Sequence, residues 1–236
     1  MADLTSALLD PLLAHGQLNP RITYYDDASG ARIELSTVTL ANWAAKTANL
    51  LREELGVRPG DRVAVLLPAH WQTAAVLFGV WRIGAEVVLE GPADLALCTR
   101  GRLTEADQNV DGGEVAVLSL DPFGASAPDL PLGVTDYATA VRVHGDQAYP
   151  ERNPGPALAG RSTAQVLDQA QRCAQLLELT ATDRVLSTRD WSTPDELTDN
   201  LLAVLAAGAS LVQVANPDPA LVDHRRSSEK VTRLLP

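Results

Sequence analysis

Unbroken apolar runs alternate with amphipathic stretches along most of this chain of 236 residues. The plainest case is the segment of residues 56–92, in which an apolar run at 63–67 precedes a helical pattern over 70–83 and a second apolar run at 87–89. Strands that are buried on both faces read as such runs, and a helix between two of them forms a βαβ unit. The pattern therefore predicts a βαβ unit in this segment.

A later segment repeats this order. Residues 162–179 have the periodicity of an amphipathic helix, and strands at 182–188 and 209–215 flank a further helix over 193–208. Both segments begin a strand with Asp-Arg-Val, carry a tryptophan shortly after it, and end the following helix on Gly-Ala. We interpret the two segments as topologically similar halves of one fold.

Local signals mark where several elements begin. Thr193 and Glu196, with a proline between them, have the spacing of a capping box. An aspartate in the turn before a strand usually accepts backbone N–H bonds, and we expect the arginine that follows it to stay at the surface. Two such pairs occur, Asp61-Arg62 and Asp183-Arg184.

The rest of the pattern predicts an α/β fold in which two βαβ-containing halves carry mostly parallel strands. The further predicted elements are a helix over 3–14, a hairpin of 21–27 and 31–36, a helix over 40–55, and strands at 94–99 and 114–120. Residues 100–113 read as a polar connection. We predict a single domain with one half at about 1–120, a linker at about 121–160, a second half at about 161–222, and a polar tail of 223–236 that is a short helix or a frayed end.

Composition and charge narrow the class of protein. The chain is 46% hydrophobic and 21% charged, which is typical of a globular protein, and its net charge of -11 argues against a nucleic-acid partner. The N-terminus lacks the pattern of a signal peptide, and no apolar run approaches a membrane span. Cys98 and Cys173 lie far apart among apolar neighbours, so we expect buried free thiols and a cytoplasmic protein.

Metal and catalytic motifs are absent from the sequence. The four histidines, His15, His70, His144 and His224, have no metal-ligand spacing, and neither cysteine lies near one of them. No Gly-x-Ser-x-Gly elbow or Ser-x-x-Lys pair occurs. We therefore predict no metal site and assign no catalytic residue.

The stretch of residues 155–162 reads G-x-x-x-x-G-R-S, one residue away from the phosphate-loop pattern G-x-x-x-x-G-K-S/T. A working phosphate loop follows a buried strand, whereas residues 150–156 contain three prolines, two before Gly155 and one directly after it. The favoured interpretation is that Ser162 or Thr163 caps the next helix. A weak anion site at the start of that helix, helped by Arg161, remains the alternative.

Four further residues lie just past the ends of the repeated strands: His70, Trp71, Asp190 and Trp191. Open α/β sheets bind ligands at the carboxyl ends of parallel strands, so these positions are candidate ligand contacts. The competing interpretation is that both tryptophans pack the helix starts against the sheet.

The segment "RITYYDD" through "GDRVAVLLPAHWQTAAVLFGVWRIGAEVVL", together with "LTATDRVLSTRDW" and "NLLAVLAAGASLVQV", resembles the N-terminal domain of adenylate-forming enzymes, which include acyl-CoA synthetases. It is also similar to a small uncharacterised family of short bacterial acyl-CoA-synthetase-like proteins. The resemblance covers most of residues 20–216. It implies an enzyme that activates a carboxylic acid with ATP and Mg²⁺ and passes the acyl group to a thiol.

The parts that this chemistry needs do not carry over. The family's phosphate loop falls at residues 153–163, where only Gly160, Ser162 and Thr163 match and no lysine is present. The Tyr-x-x-Thr-Glu element, the ribose-binding Asp and the C-terminal lysine have no counterparts. We therefore expect a degenerate, non-catalytic ligand-binding or protein-interaction module with no cofactor. The alternative is a minimal nucleotide-dependent acyl-activating or acyl-transfer enzyme, for which ATP, AMP or acyl-CoA would be the ligand.

Overall fold

The computed structural model describes residues 2–16 and 18–235, without the side chains of residues 15 and 16, so the side chain of His15 lies outside the described part. The described chain divides into two compact units. The first unit contains residues 2–7, 41–67 and 72–163, and the second contains 8–40, 68–71 and 164–235. Each is an α/β unit built on its own sheet.

The secondary structure follows the sequence pattern in most places. The strands are β1 (Pro20–Asp26), β2 (Ala31–Ser36), β3 (Arg62–Leu66), β4 (Glu86–Val88), β5 (Leu95–Thr99), β6 (Glu114–Leu118), β7 (Val134–Asp136), β8 (Arg184–Ser187), β9 (Ser210–Ala215) and β10 (Arg233–Leu235). The helices are α1 (Leu4–Gly16), α2 (Thr37–Asn49), α3 (Trp71–Arg82), α4 (Leu103–Val110), α5 (Tyr137–Arg142), α6 (Thr163–Leu176), α7 (Pro194–Leu197), α8 (Ala203–Ala206) and α9 (Val222–Ser228). π-Helical turns extend α2 over Leu50–Glu54 and join α7 to α8 over Thr198–Leu202.

The sheet of the first unit has the order β4-β3-β5-β6-β7, and all of its strands are parallel. Alternate residues of the central strands form one apolar cluster, to which Ala64, Leu66 and Cys98 belong. β3, α3 and β4 make the βαβ unit that the sequence predicts. The burial of Cys98 as a free thiol is confirmed, whereas Cys173 in the second unit is free but only half-buried.

The sheet of the second unit has the order β10-β8-β9-β1-β2. β1 and β2 form the predicted antiparallel hairpin, and the other neighbours are parallel. The hairpin comes early in the chain yet pairs with β9, in the register Ile22↔Leu211. A local pattern shows that a strand forms but not which strand becomes its neighbour.

Three stretches differ from the sequence-based expectation. The polar connection 100–113 contains α4, of which only Ala106 and Val110 are buried, so its apolar stripe is too thin to be read from the pattern. Residues 134–142 form β7 and α5 inside the predicted linker. The tail is neither a lone helix nor frayed, because α9 is followed by β10, which pairs with β8.

Ion pairs bind the C-terminal segment to its sheet. Arg225 donates to the carboxylate of Asp27 at 2.5 Å, and both side chains are buried. Glu229 accepts from the Tyr25 hydroxyl and from the guanidinium groups of Arg32 and Arg184. These contacts place α9 firmly on the second unit.

The sequence-based expectation that the arginine of each Asp-Arg pair stays at the surface is wrong for the second pair. Arg62 is exposed as expected, but the side chain of Arg184 is only 16% exposed, because its guanidinium donates to Glu229 and to the Thr23 hydroxyl. The aspartates behave as expected: Asp61 accepts the backbone N–H of Arg58 and Asp183 accepts that of Thr180.

Candidate functional site

The segment that resembles a phosphate loop lies in the first unit. No regular strand leads directly into Gly155 in the described chain, because α5 and a stretch without regular structure separate it from β7; the nearest pairing is an isolated bridge between Leu158 and Val87 of β4. α6 begins at Thr163, so Ser162 stands at the position of an N-cap residue, as predicted. The segment therefore lies beside β4, at the edge of the sheet, and leads into α6.

The backbone N–H groups of this segment are committed within the unit. Gly155 donates to the Gly84 carbonyl at 3.0 Å, and Ala159 donates to the Val87 carbonyl at 3.0 Å. The other N–H donors here are Ala157, Leu158 and Arg161, which bond to carbonyls inside the same turn, and Gly160. A phosphate loop works by pointing such groups at the ligand, and here six of them already have an acceptor.

The acceptor for Gly160 is a carboxylate. Its N–H donates to Glu86 Oε1 at 2.5 Å, and Glu86 is only 7% exposed. The structure therefore puts a carboxylate side chain against the segment whose sequence resembles a phosphate loop. Sequence analysis missed Glu86, although an acidic residue directly before the apolar run 87–89 was a usable signal.

The glycines of the segment serve packing and turn geometry. A Cβ on Gly155 would lie 2.6 Å from the Gly60 Cα, so no side chain fits there. Gly160 has φ +79° and open space around it, so it is a glycine because of its left-handed backbone. The indole Nε1 of Trp81 donates to the Ala157 carbonyl at 2.7 Å and further fixes the turn.

A second candidate region lies at the carboxyl end of the sheet in the second unit. Tyr24 of β1 pairs in register with Gln213 of β9, which in turn pairs with Ser187 of β8. Residues paired in register on parallel strands point to the same face, so these three side chains lie on one face. His70 contacts that face, with its ring edge-on to Tyr24 at 4.3 Å between centroids.

The loop after β8 is tied to this face by polar contacts. Gln213 Nε2 donates to the Arg189 carbonyl at 2.8 Å, and Asn200 Nδ2 donates to the Asp190 carbonyl at 3.2 Å. The Asp190 carboxylate accepts the backbone N–H groups of Ala69 and Trp191 at 3.1 and 3.0 Å. Through these two hydrogen bonds Asp190 connects the residue before His70 with Trp191.

Nε1 of Trp191 and Oε1 of Gln213 have no hydrogen-bond partner among the described residues, and each of these residues is only 2% exposed. A buried polar group left unpaired costs about 1–3 kcal/mol. Packing explains why Trp191 is buried but not why its indole N–H has no partner among the described residues.

The histidine of the cluster is neutral. Burial lowers the pKa of His70 to about 3, and the negative charge of Asp26 offsets only part of that effect. Tyr24 is also uncharged, because burial, with a smaller effect of Asp26, raises its pKa to about 12. The buried members of the cluster are therefore all uncharged at neutral pH.

The structure brings together the four strand-end candidates His70, Trp71, Asp190 and Trp191, and it places Gly160, Arg161, Ser162 and Thr163 in the segment closed by Glu86. Sequence reasoning missed Gln213, although a lone amide in the apolar strand "SLVQVA" was the available signal.

Over residues 2–16 and 18–235 no group of three or more His, Cys, Asp or Glu side chains could hold a metal ion. None of the described helices is long and apolar enough to cross a membrane.

Comparisons with known proteins agree with this fold. Residues 15–94 match the AMP-binding enzyme family. Among solved structures, the acyl-CoA synthetase of Brucella canis superposes with a TM-score of 0.79 at 20% identity, over 98% of this chain and 46% of that one. MatB of Rhodopseudomonas palustris gives 0.78 at 16% identity, over 99% and 49%. The chain therefore has the fold of these proteins and spans about half of their length.

Two curated relatives differ in how much they share with this chain. An acetyl-coenzyme A synthetase of Streptomyces coelicolor is 38% identical over 96 residues, which are 38% of this chain and 14% of that protein. A TIGR03089 family protein of Mycobacterium tuberculosis is 67% identical over 98% of both chains. The chain belongs to the TIGR03089 protein family, as a relative of the adenylate-forming enzymes.

Proposed function

We propose that this protein is a non-catalytic member of the adenylate-forming superfamily that acts as a ligand-binding module in the cytoplasm. The observation that carries the proposal is the Glu86 carboxylate on the Gly160 N–H, within a loop whose other N–H donors are bonded to carbonyls.

The charge of Glu86 opposes nucleotide binding at this loop. A phosphate oxygen about 4 Å from a carboxylate is repelled by about 4 kcal/mol at an effective dielectric constant of about 20. To bind there, a nucleotide would also have to break hydrogen bonds of the Gly155 and Ala159 N–H groups that hold the segment to its neighbours. Both effects favour a loop that stays closed.

The proposed ligand-binding region is the strand-end cluster of the second unit. In this cluster, a buried donor on Trp191 and a buried acceptor on Gln213 have no partner among the described residues. Open α/β sheets bind ligands at this end of their strands. The cluster contains no lysine, which favours binding over acyl activation.

Thermal unfolding of the full chain with ATP, AMP or acyl-CoA tests the nucleotide part. A ligand at 100 times its dissociation constant adds about 2.7 kcal/mol to stability, which is readily measured. We expect no shift in the wild type. The variant Glu86→Gln keeps an acceptor oxygen without the charge, and we expect no shift there either, because the loop's other N–H groups remain bonded. A saturable ATP shift in the wild type would overturn the proposal.

A further inference from the structure

We propose that β2 pairs with β2 of a second copy of this chain, antiparallel and about a two-fold axis at Ile33, so that the sheets of the two second units join edge to edge. The interaction surface is the outer edge of Ala31–Ser36, and the partner is another copy of the chain. This assembly goes beyond the proposed function and does not depend on it.

β2 is an open edge of its sheet. It is the last strand in the order β10-β8-β9-β1-β2, and its one strand neighbour in the described chain is β1, in the register Ile22↔Leu35 to Asp26↔Ala31. In an antiparallel ladder, alternate residues turn their N–H and C=O groups away from the neighbouring strand. Among the described residues no other element bonds to the backbone of residues 32–35. Such a row of backbone groups is a template for a further strand.

The charges of β2 select one register for the pair. Arg32 and Glu34 lie two positions apart and therefore on the same face of the strand. An antiparallel pair centred on Ile33 sets Arg32 of each copy opposite Glu34 of the other, whereas a pair centred on Arg32 or on Glu34 sets like charges opposite each other, which is unfavourable. Edge strands commonly use charge to keep copies apart, but β2 carries one charge of each sign at the spacing that two-fold symmetry brings together.

The two charged side chains are held in place for this contact. Arg32 Nη2 donates to Glu34 Oε2 at 2.7 Å within the chain, and the side chains are 44% and 36% exposed. Arg32 Nε also donates to the Tyr25 hydroxyl and to the buried carboxylate of Glu229, at 2.9 and 3.0 Å, so little conformational entropy remains to be lost on pairing. Nη1 of Arg32 and Oε1 of Glu34 have no hydrogen-bond partner among the described residues. Each copy therefore offers the other one donor and one acceptor.

The opposite face of β2 supplies an apolar contact. In the same register Ile33 faces Ile33 of the other copy, and Ala31 faces Leu35. Ile33 is half-buried in the single chain, and cross-strand pairs of β-branched residues stabilise antiparallel sheets. Because the edge is only six residues long, we expect a weak dimer whose population depends on concentration.

Sedimentation velocity of the full chain over a range of concentrations tests the pairing. We expect the mass to rise with concentration from that of one chain, 25.1 kDa, towards that of two. Glu34→Lys sets a lysine opposite Arg32 at both ends of the pair and should weaken association at least about tenfold. Glu90→Lys, at an exposed position of the first unit, makes the same change in net charge and should leave association unchanged. Urea unfolding reports whether each variant folds.

Disulfide cross-linking tests the register. Facing residues of antiparallel strands have Cα atoms about 4.5–5.5 Å apart, which is within the range of a disulfide. Under mild oxidation Ile33→Cys should therefore form a covalent dimer, whereas Ser29→Cys, in the exposed turn before β2, should not exceed the wild type with its own Cys98 and Cys173. The inference is overturned if the wild type sediments as one chain at every concentration or if Glu34→Lys associates as strongly as Glu90→Lys. It is also overturned if Ser29→Cys cross-links as readily as Ile33→Cys.

Discussion

The loop of residues 155–161 and the strand-end cluster of the second unit use their polar groups in opposite ways. In the loop, six backbone N–H groups are bonded internally, and one of them is bonded to a buried carboxylate. In the cluster, a buried indole N–H and a buried amide oxygen are left without a partner among the described residues. The segment that resembles a binding motif is thus closed, while a region without a motif leaves buried polar groups unpaired.

The largest expected effect comes from disturbing the loop at Gly155. A methyl group at this position meets the Gly60 backbone at 2.6 Å, so Gly155→Ala should destabilise the protein by about 3 kcal/mol through overpacking. Gly160→Ala is the matched control: it meets open space and should cost only about 1 kcal/mol for the left-handed backbone. Urea unfolding measures both, and equal costs would contradict the packing role of Gly155.

The cluster should make stability depend on pH. The pKa of His70 is about 3 in the folded protein and about 6.5 when unfolded, so its contribution is complete above pH 6.5 and is lost as the pH falls towards 3. We expect a loss of about 2 kcal/mol between pH 7 and pH 5. Urea unfolding across this range should show a clear slope in the wild type and a much smaller one in His70→Gln. An unchanged slope in the variant would show that His70 is not the group responsible.

The bond between Glu86 and Gly160 should contribute less. Glu86→Ala leaves the Gly160 N–H without its acceptor and should cost about 1–2 kcal/mol, whereas Glu86→Gln retains an oxygen and should cost less. Chemical denaturation of the two variants side by side separates the loss of the acceptor from the loss of the charge. If both cost the same, the charge and not the acceptor holds the loop.

The smallest effect is expected from the substitution of Trp191. Trp191→Phe removes an indole N–H that has no partner, and the gain from removing it offsets part of the lost packing. We expect a change in unfolding free energy within about 1 kcal/mol, well below the 3–5 kcal/mol typical of truncating a buried tryptophan to alanine. A loss of several kcal/mol would mean that the N–H is bonded in solution.

Sequence reasoning succeeded where a local pattern decides the structure. The apolar runs at β3, β4, β8 and β9 identified both βαβ units, and the capping box is present, with the Thr193 hydroxyl accepting from Glu196 N at 3.2 Å. The apolar runs and the capping box each depend on residues that lie within a few positions of one another. The family resemblance depended on the same segments and is confirmed.

Long-range partners could not be read in the same way. The pairing of β1 with β9 joins residues nearly 190 positions apart, and the burial of Arg184 depends on Glu229, 45 positions later. Glu86 and Gln213 were the hardest to recognise, because each is a single polar residue at the edge of, or inside, an apolar strand. Only their partners, the Gly160 N–H and the Arg189 carbonyl, show what these side chains do.

The central proposal is that the loop at Gly155–Arg161 does not serve nucleotide chemistry. Exchange of labelled pyrophosphate into ATP, with Mg²⁺ and a mixture of carboxylic acids, tests this most directly, because it detects the formation of an acyl-adenylate without requiring its release. The account predicts no exchange above the protein-free background. Exchange that requires a carboxylic acid and disappears in Arg161→Ala would contradict it.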